Sequence, residues 1–480
     1  MISSLFATVA LSGVLTAQLT PSTGSEAAED LSRRITPEVL VAQKARPAVV
    51  FIRAEVSQVT RDFFGNAYQQ RGESTGSGVV IYEDGWVVTN YHDVKNAENI
   101  RVSFDTDLED EPETYAARLV NAAEDEDLAL LRIEAPAEHR FATVPLGTSD
   151  DLMIAEPVIA IGNPFGQSFT VSRGIISGLH RNIQTAQGVK FSNLIQTDAS
   201  INLGNSGGPL LNINGRLIGI NAAMNTQAEN IGFAIPVDRV RQVLEETLLA
   251  PSRAASWYGF EVSDQPVDDA FPVVSVVAGG PAASAGVKVG DTLLGWGGKR
   301  FVSSEAYRFA RAELEPGVPT NFEFRRKGSI DRVVLTGWRR DDGLLYERAG
   351  FRAEIAVVTN YNSRKWFARV AEVRPDGPAA HLGLEVDDLI ESFRAAGRQT
   401  FVPQRTELLA LYLSPLEKGS EVEVDVWRDE NGNQRLDYTE QLSGAAARHP
   451  RARLEPGRSP TIRGRTPRPR ASRWNVRDGS

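Results

Sequence analysis

The sequence predicts a mostly β protein of several domains, and three observations support this. Residues 45–245 carry many short Val- and Ile-rich runs separated by Gly, Asn and Asp, which is the spacing of an all-β domain. A Gly-rich turn lies between two of these runs, from Thr197 to Leu211. Further on, residues 279–298 and 376–397 repeat one pattern, Gly-Pro-Ala-Ala followed by a Gly-apolar pair and an Asp-led apolar strand. We therefore expect one large β domain followed by two smaller β-rich modules.

Length and composition are those of a globular protein with two to four domains. The chain has 480 residues, of which 41% are hydrophobic and 24% charged, with a net charge of −10. Most of the basic excess lies in residues 446–480, so the body of the chain is acidic, which argues against a nucleic-acid groove. Cysteine is absent and the five histidines are scattered. The sequence therefore predicts no disulfide, no metal site and no cofactor.

A serine among glycines, Ser206 in Gly204-Asn205-Ser206-Gly207-Gly208, is the candidate nucleophile of the large domain. Most serines in a Gly-rich turn are incidental, so the assignment depends on finding a base and an orienting carboxylate. His92 directly follows an apolar run, residues 86–91, that predicts a strand. Asp127 opens the apolar run LALLRI, whereas the rival Asp125 lies two residues farther from it. We therefore expect His92 to be the base and Asp127 the carboxylate.

Two other histidines are weaker candidates for the base. His139 and His180 lie in polar segments that predict solvated loops. The motif Gly-x-Ser-x-Gly also occurs in the nucleophile elbow of α/β-hydrolases, but that fold needs a later histidine and a following helix. Here an Asn214-Gly215 hairpin follows instead. The order histidine, aspartate, serine is that of chymotrypsin-like double β-barrels.

Several blocks, in order, resemble the HtrA/Deg family of serine proteases: TGSGVVI (75–81), VVTNYH (87–92), DLALLRI (127–133), AIGNPFG (160–166), QTDASINLGNSGGPLLNINGRLIGIN (196–221) and IGFAIP (231–236). The resemblance implies an ATP-independent serine endopeptidase that removes misfolded proteins and assembles as a homotrimer or larger oligomer. The sequence departs from the family at Asp93, where an apolar residue is usual, and in the acidic segment before Asp127. Asp93 could perturb the environment of His92.

The resemblance also implies the residues that surround the scissile bond. Backbone N–H groups of the turn Gly204, Asn205 and Ser206 would form the oxyanion hole. Ser200, six residues before the nucleophile, would lie at the base of the S1 pocket beside Ile201. The remaining substrate-binding residues would be Asn221, Ala222 and Ala223. Because Ser200 carries no charge, we expect cleavage after small or medium apolar residues.

The N-terminal residues predict export. Residues 1–17 are apolar, with a length that suits a signal peptide, and Ala17 could precede a cleavage point. The absence of a basic residue before Arg33 leaves an N-terminal membrane tether as the alternative. We expect a periplasmic protein with a polar linker at residues 18–44 and the protease domain at 45–250.

Two further segments of the large domain stand out. The loop around Phe63-Phe64 would either pack on the barrel or serve as a regulatory and assembly loop. A helix is expected after Pro236, ending at a linker that begins at Pro251.

The two repeats resemble PDZ domains, at residues 254–340 and 343–444. In the first, the segment Tyr258, Gly259, Phe260, Glu261 and Val262 would bind a peptide C-terminus, with a helix beginning near Ser303-Ser304-Glu305 as the other wall. The second departs more, because Gly350-Phe351 has charged neighbours and Asp387-Asp388 replaces Gly-Asp. The alternative is that both modules only hold oligomers together.

The last part of the chain predicts no further site. Residues 429–440 space oxygens as an EF-hand does, but Gln434 replaces the required glycine, and a hairpin explains the pattern better. The Arg- and Pro-rich residues 445–480 are expected to be disordered. Two other function classes remain open: a chaperone or binding protein on a protease scaffold, and a signalling protease with one specific partner.

Overall fold

The computed structural model describes two compact units, residues 1–248 and 249–480. Within them the description covers the following residues: 32, 34–61, 67–104, 113–163, 169–184, 190–202, 204–222, 230–263, 265–268, 270–301, 303–360, 363–395, 398–413, 421–428, 452–453 and 475–478. The segment 1–17 and the Phe63-Phe64 loop lie outside these residues, as does the whole segment 429–440 that resembles an EF-hand.

The first unit begins with a closed six-stranded barrel in the order β1-β2-β3-β6-β5-β4. Its centre is filled by β-branched and leucine side chains such as Ile52, Val79, Val88 and Leu130, all fully buried. Such residues favour strands because their branched side chains pack well on a pleated surface. The strands are β1 Val49–Arg61, β2 Ala67–Tyr82, β3 Trp86–Asn90, β4 Ala97–Phe104, β5 Thr114–Ala123 and β6 Leu128–Ile133.

A second closed barrel follows in the same unit, with the order β10-β11-β12-β9-β8-β7. Leu210, Ile218 and Ala234 lie at 0% exposure in its core. The strands are β7 Pro157–Gly162, β8 Thr170–Gln184, β9 Lys190–Thr197, β10 Pro209–Asn212, β11 Leu217–Ala222 and β12 Gly232–Pro236. The predicted double β-barrel is therefore confirmed. The Asn214-Gly215 turn joins β10 to β11, with Gly215 at φ 71°.

Two helices flank the barrels. Helix α1, Pro37–Ala45, lies inside the segment expected to be a linker, and the linker interpretation is wrong for these residues. The helix begins with proline at its first position, which suits a helix start, and buries Val41. Helix α2, Val237–Val243, continues as a π-helical turn at Leu244–Leu248. It buries Val237, Val240 and Val243, as the apolar spacing predicted.

The second unit opens with a six-stranded sheet in the order β14-β15-β16-β18-β19, with β17 beside β16, and a two-stranded pair of β13 and β20. Phe271, Phe322 and Phe324 fill its core. The elements are β13 Ser256–Trp257, β14 Phe260–Val262, β15 Phe271–Val276, α3 Pro281–Ser284, β16 Thr292–Trp296, β17 Lys299–Arg300, α4 Ser304–Ala312, β18 Pro319–Arg326, β19 Ser329–Thr336 and β20 Trp338–Arg339.

A second six-stranded sheet follows in the order β25-β24-β23-β22-β21-β26. Its elements are α5 Arg340–Ala349, β21 Phe351–Asn360, β22 Ser363–Val373, α6 Pro378–His381, β23 Leu389–Ala395, α7 Thr406–Leu413, β24 Glu421–Trp427, β25 Ala452–Arg453 and β26 Asn475–Asp478. Helix α5 covers the boundary expected between residues 340 and 343. The last two strands fall in the tail expected to be disordered, and that expectation is wrong for them because they pair with β24 and β21.

Each of the two sheets has an ion pair of the same kind, between a buried aspartate and a partly exposed arginine. Asp291 lies at 3% exposure, and its carboxylate accepts from Arg326 Nε at 2.7 Å and from the Lys288 N–H at 2.8 Å. In the second sheet Asp388 lies at 1% exposure. Its carboxylate accepts from Arg428 Nε at 2.7 Å. The repeat seen in the sequence therefore corresponds to a repeated contact.

Candidate active site

The candidate base, His92, lies at the rim of the first barrel, directly after the end of β3. All five residues of β3 are buried, and the chain then turns through a single 3₁₀ turn, Tyr91–Asp93. The turn places His92 at the surface, with its side chain 47% exposed. A buried apolar strand thus fixes the backbone while the imidazole stays open to solvent and substrate.

Asp127 contacts His92 twice. The 3₁₀ turn Glu124–Glu126 ends at Asp127, whose backbone is left-handed at φ 52°. Its Oδ2 lies 2.7 Å from His92 Nδ1, and its Oδ1 accepts the His92 backbone N–H at 2.9 Å. The rival Asp125 is exposed on the same turn. The carboxylate therefore fixes both the ring and the backbone of His92.

Ser206 comes from the second barrel, in the tight turn before β10. Its Oγ lies 3.1 Å from His92 Nε2. The turn needs glycine at Gly207, because φ is 76° and a Cβ there would overlap the carbonyl oxygen of Ser77. The structure thus brings His92, Asp127 and Ser206 together in one line of polar contacts across the two barrels.

Asn90 is a site residue that the sequence analysis did not identify. It is fully buried, and its Nδ2 donates to the Asp127 carbonyl at 3.0 Å. Its Oδ1 therefore faces Ser206 and accepts the Ser206 hydroxyl at 2.7 Å. The motif Thr-Asn-Tyr-His was noted, but only this contact across 116 residues reveals what the asparagine touches.

Ser77 is the second residue that was missed, and it joins the two barrels. Its Oγ donates to the Gly204 carbonyl at 2.6 Å and accepts the Asn163 N–H at 2.9 Å. Its backbone N–H donates to the Ser206 carbonyl at 2.8 Å. Ser77 is fully buried, and its only sequence signal was its place just before the apolar run Val79-Val80-Ile81.

The two acidic neighbours change the protonation of His92. Burial lowers the His92 pKa, but the hydrogen bond to Asp127 and the charges of Asp93 and Asp127 outweigh it and raise the pKa to about 8. Because the ring is half exposed, the burial penalty is partial. Burial also raises the pKa of Asp93 to about 7, against the opposing charge of His92. Asp93 Oδ1 lies 3.4 Å from His92 Nε2.

The expected oxyanion residues lie in the serine turn. Gly204 has φ 101°, and its carbonyl is held by Ser77. The Asn205 N–H donates to the Asn202 carbonyl at 3.0 Å. Asn205 therefore does not offer its N–H to a substrate, and its assignment as an oxyanion donor is wrong in this arrangement.

The expected substrate-binding residues are close to the same turn. The Ser200 carbonyl accepts the Asn205 side-chain amide at 3.1 Å, and Ile201 lies against Gly232 of β12. Asn221 is fully buried, and its Nδ2 donates to the Pro209 carbonyl at 3.1 Å. Ala222 is buried at 1% exposure, whereas Ala223 lies outside the described residues.

The expected peptide-binding segment of the first module borders its sheet. Gly259 has φ 75°, and its carbonyl accepts the Val277 N–H at 2.8 Å. The next strand, β14, stands at the end of the sheet order. Its Glu261 is exposed, whereas Phe260 and Val262 are half-buried against the core. Tyr258 is buried at 7% exposure, so its side chain belongs to that core.

Within the described ranges, no group of three or more His, Cys, Asp or Glu side chains is arranged to hold a metal ion. In the same part of the chain, no helix combines the length and the apolar character needed to cross a membrane.

Comparison with known proteins defines the class first. Residues 76–220 match the model of the trypsin-like peptidase domain. A probable periplasmic serine endoprotease DegP-like from Pseudomonas fulva is 33% identical over 371 residues, covering 71% of this chain and 74% of the relative. A protein of the same name from Chlamydia trachomatis is 36% identical over 345 residues, 67% of each chain. The chain therefore belongs to the HtrA/DegP family and is a serine-type endopeptidase.

A solved structure is also similar. The serine endoprotease from Yersinia pestis is 31% identical and aligns with 64% of this chain and 98% of that chain, with a TM-score of 0.35.

Proposed function

We propose that Ser206, His92 and Asp127 form the catalytic triad of this endopeptidase. One observation carries the proposal: polar contacts run from Ser206 Oγ to His92 Nε2 at 3.1 Å, and from His92 Nδ1 to Asp127 Oδ2 at 2.7 Å. A hydroxyl needs a base within such a distance, and the base needs a carboxylate that sets its tautomer.

The residues perform acyl transfer in two steps. Ser206 Oγ attacks the peptide carbonyl while His92 Nε2 takes its proton, and Asp127 stabilises the imidazolium that forms. The imidazolium then gives this proton to the leaving amine, which departs and leaves an acyl-enzyme. A water attacks the ester with His92 again as base, and the acid product is released as Ser206 regains its proton. No cofactor takes part in this sequence.

We assign the oxyanion to the backbone N–H groups of Gly204 and Ser206. The hydrogen bond from Ser77 to the Gly204 carbonyl supports this assignment, because it fixes one side of the serine turn. Donors that are oriented before the reaction stabilise the developing charge without reorganisation, which is why a rigid turn favours catalysis.

We also propose that Ser200, Ile201, Asn221, Ala222 and Ala223 line the pocket for the residue before the scissile bond. Ile201 is a partly buried apolar side chain against the core of the second barrel, and Ser200 supplies no negative charge for a basic side chain. Such a pocket selects small or medium apolar residues.

The proposed substrates are unfolded or misfolded proteins in the periplasm, degraded by a homotrimer or larger assembly. The relatives named above are periplasmic serine endoproteases, and residues 1–17 have the composition of a signal peptide. On this proposal residues 45–250 form the protease domain, preceded by helix α1.

We propose two PDZ-like modules at residues 254–340 and 343–444, the first of which binds peptide C-termini. The left-handed Gly259 and the terminal strand β14 support a carboxylate loop followed by β-augmentation. In the full-length Ser206→Ala protein, amidating an apolar C-terminal peptide should weaken binding about ten- to a hundredfold, the worth of charged hydrogen bonds. Equal affinities would contradict the assignment.

The triad is tested by Ser206→Ala, which removes one hydroxyl and should abolish casein cleavage and labelling by a fluorophosphonate. Loss of a triad residue lowers kcat on the order of 10⁴–10⁶-fold. The matched control is Ser103→Ala, whose hydroxyl contacts only Thr114 on the outside of the first barrel among the contacts described. Wild-type turnover by the Ser206 variant would overturn the proposal. Absence of labelling in the wild type would favour a chaperone on an inactive scaffold.

A further inference from the structure

A buried carboxylate lies on the Nε2 side of the proposed base. Asp93 is 4% exposed, and its Oδ1 lies 3.4 Å from His92 Nε2, the atom that must take the Ser206 proton. Its Oδ2 is buried and has no hydrogen-bond partner among the described residues. A charged oxygen in this position is costly unless a nearby cation compensates it.

Strand β2 leaves space for the Asp93 side chain. A side chain at residue 76 would overlap the Asp93 carboxylate, so Gly76 leaves room for that carboxylate. The charged groups that act on Asp93 are His92 on the same turn and Asp127 from the turn before β6. Lys95 is engaged with Glu124 in an exposed ion pair. Among the described residues, the cation that acts on Asp93 is therefore a protonated His92.

We propose that Asp93 is a positioning residue that holds the resting enzyme with His92 as imidazolium and with the Ser206 hydroxyl turned toward Asn90. The inference rests on the proposed triad. Burial raises the Asp93 pKa to about 7, so above that pH His92 is flanked by two carboxylates, Asp127 at Nδ1 and Asp93 near Nε2. An imidazolium has no lone pair at Nε2, so the Ser206 proton must go elsewhere.

Asn90 supplies that alternative acceptor. Its Oδ1 is 2.7 Å from Ser206 Oγ, which is shorter than the 3.1 Å from Ser206 Oγ to His92 Nε2. The Ser206 hydroxyl has one proton, so it can donate a hydrogen bond either to Asn90 or to His92. Activation then consists of loss of the Nε2 proton to solvent and rotation of the serine hydroxyl from Asn90 to the freed nitrogen. The half-exposed ring gives the proton a path to water.

The pKa of His92 agrees with its position between Asp127 and Asp93. The two carboxylates raise the His92 pKa to about 8 despite burial, which lowers it. Since the base form is needed for attack, activity should rise as the pH increases through about 8. Removing the Asp93 charge should move this rise to lower pH.

The test compares Asp93→Asn with Asp125→Asn, an exposed acidic residue on the turn before Asp127. The second-order rate of fluorophosphonate labelling is followed from pH 5 to 10. An acid shift of about one pH unit in the Asp93 variant corresponds to roughly fivefold faster labelling at pH 7, and the two rates converge above about pH 9. The control should retain the wild-type midpoint. Equal midpoints for Asp93→Asn and wild type overturn the proposal.

A second measurement needs no variant. Diethylpyrocarbonate modifies neutral imidazole, so mass spectrometry of the wild type can follow modification of His92 against pH. A midpoint near 8 supports the proposal, and a midpoint at or below the ordinary value of about 6.5 overturns it. If fluorophosphonate does not label the wild type at any pH, the triad assignment itself fails.

Discussion

Asp127 acts at the scale of single atoms, because its two oxygens have different partners. Oδ1 accepts the backbone N–H of His92, and Oδ2 accepts its Nδ1–H. In Asp127→Asn the amide oxygen must keep the backbone contact, which turns the NH₂ group toward Nδ1. His92 would then carry its proton on Nε2 and could not accept the proton of Ser206.

We therefore expect Asp127→Asn to lower kcat by about 10⁴-fold while the protein stays folded. Steady-state cleavage of a peptide substrate measures this loss, and circular dichroism verifies the fold. Asp125→Asn provides the matched control with the same chemical change two residues earlier. A loss of less than about tenfold would show that His92 does not depend on this carboxylate.

At the scale of elements, β2 supports the serine turn through Ser77. Replacing it with alanine removes the donor to the Gly204 carbonyl and the acceptor for the Asn163 N–H, both in a fully buried position. We expect Ser77→Ala to lower the free energy of unfolding of the first unit by about 1–3 kcal/mol. Turnover should fall by about tenfold because the turn loses its support.

Chemical denaturation and kcat measurements check this expectation against Ser103→Ala, whose hydroxyl lies on the outer surface of the same barrel. If both serine variants have the same turnover, Ser77 does not support the site.

The repeated ion pair of the second unit allows a separate test. Asp291→Ala removes the carboxylate that accepts hydrogen bonds from Arg326 and from the Lys288 N–H, and should cost about 1–3 kcal/mol in unfolding free energy. Asp331→Ala is the control, because it removes an exposed carboxylate 3.2 Å from the same guanidinium. Asp291→Ala should therefore lower the free energy of unfolding more than Asp331→Ala does, although each variant removes one contact of Arg326.

The stability that the Asp291–Arg326 ion pair contributes should decrease at acidic pH. The hydrogen bond from Arg326 lowers the pKa of Asp291 from its ordinary 3.8. The stabilisation is therefore fully present above pH 3.8 and is lost as the pH falls through the folded-state value. Below that range the Asp291→Ala variant and the wild type should converge in stability, which thermal unfolding at pH 2 to 7 can measure.

At the scale of the whole molecule, the protease is expected to prefer apolar residues before the cleaved bond. Neither Ser200 nor Ile201 can pair with a lysine or arginine, and burial of an unpaired cation costs several kcal/mol. Mass spectrometry of products from a denatured protein should therefore give Val, Ala, Ile or Leu at this position. A profile dominated by Arg or Lys would refute the expectation.

The mostly β fold and the candidate triad could be predicted because their signals are local. His92, Asp127 and Ser206 each stand at the end of an apolar run or within a Gly-rich turn. Ser77 and Asn90 could not be found in this way, since their partners lie 127 and 116 residues away. Helix α1 was missed because most of its surface is exposed, with only Val41 and Ala45 buried.

The hydrogen bond between Ser77 and Gly204 also affects how the enzyme is made. The two residues are separated by 127 positions, and the chain between them includes four complete strands of the first barrel and three of the second. In a chain that is still being synthesised, His92 is present before the residues of the serine turn have been added. With the proposed triad, proteolysis requires the serine turn of the second barrel beside His92 of the first, so a chain whose second barrel has not yet formed should be inactive.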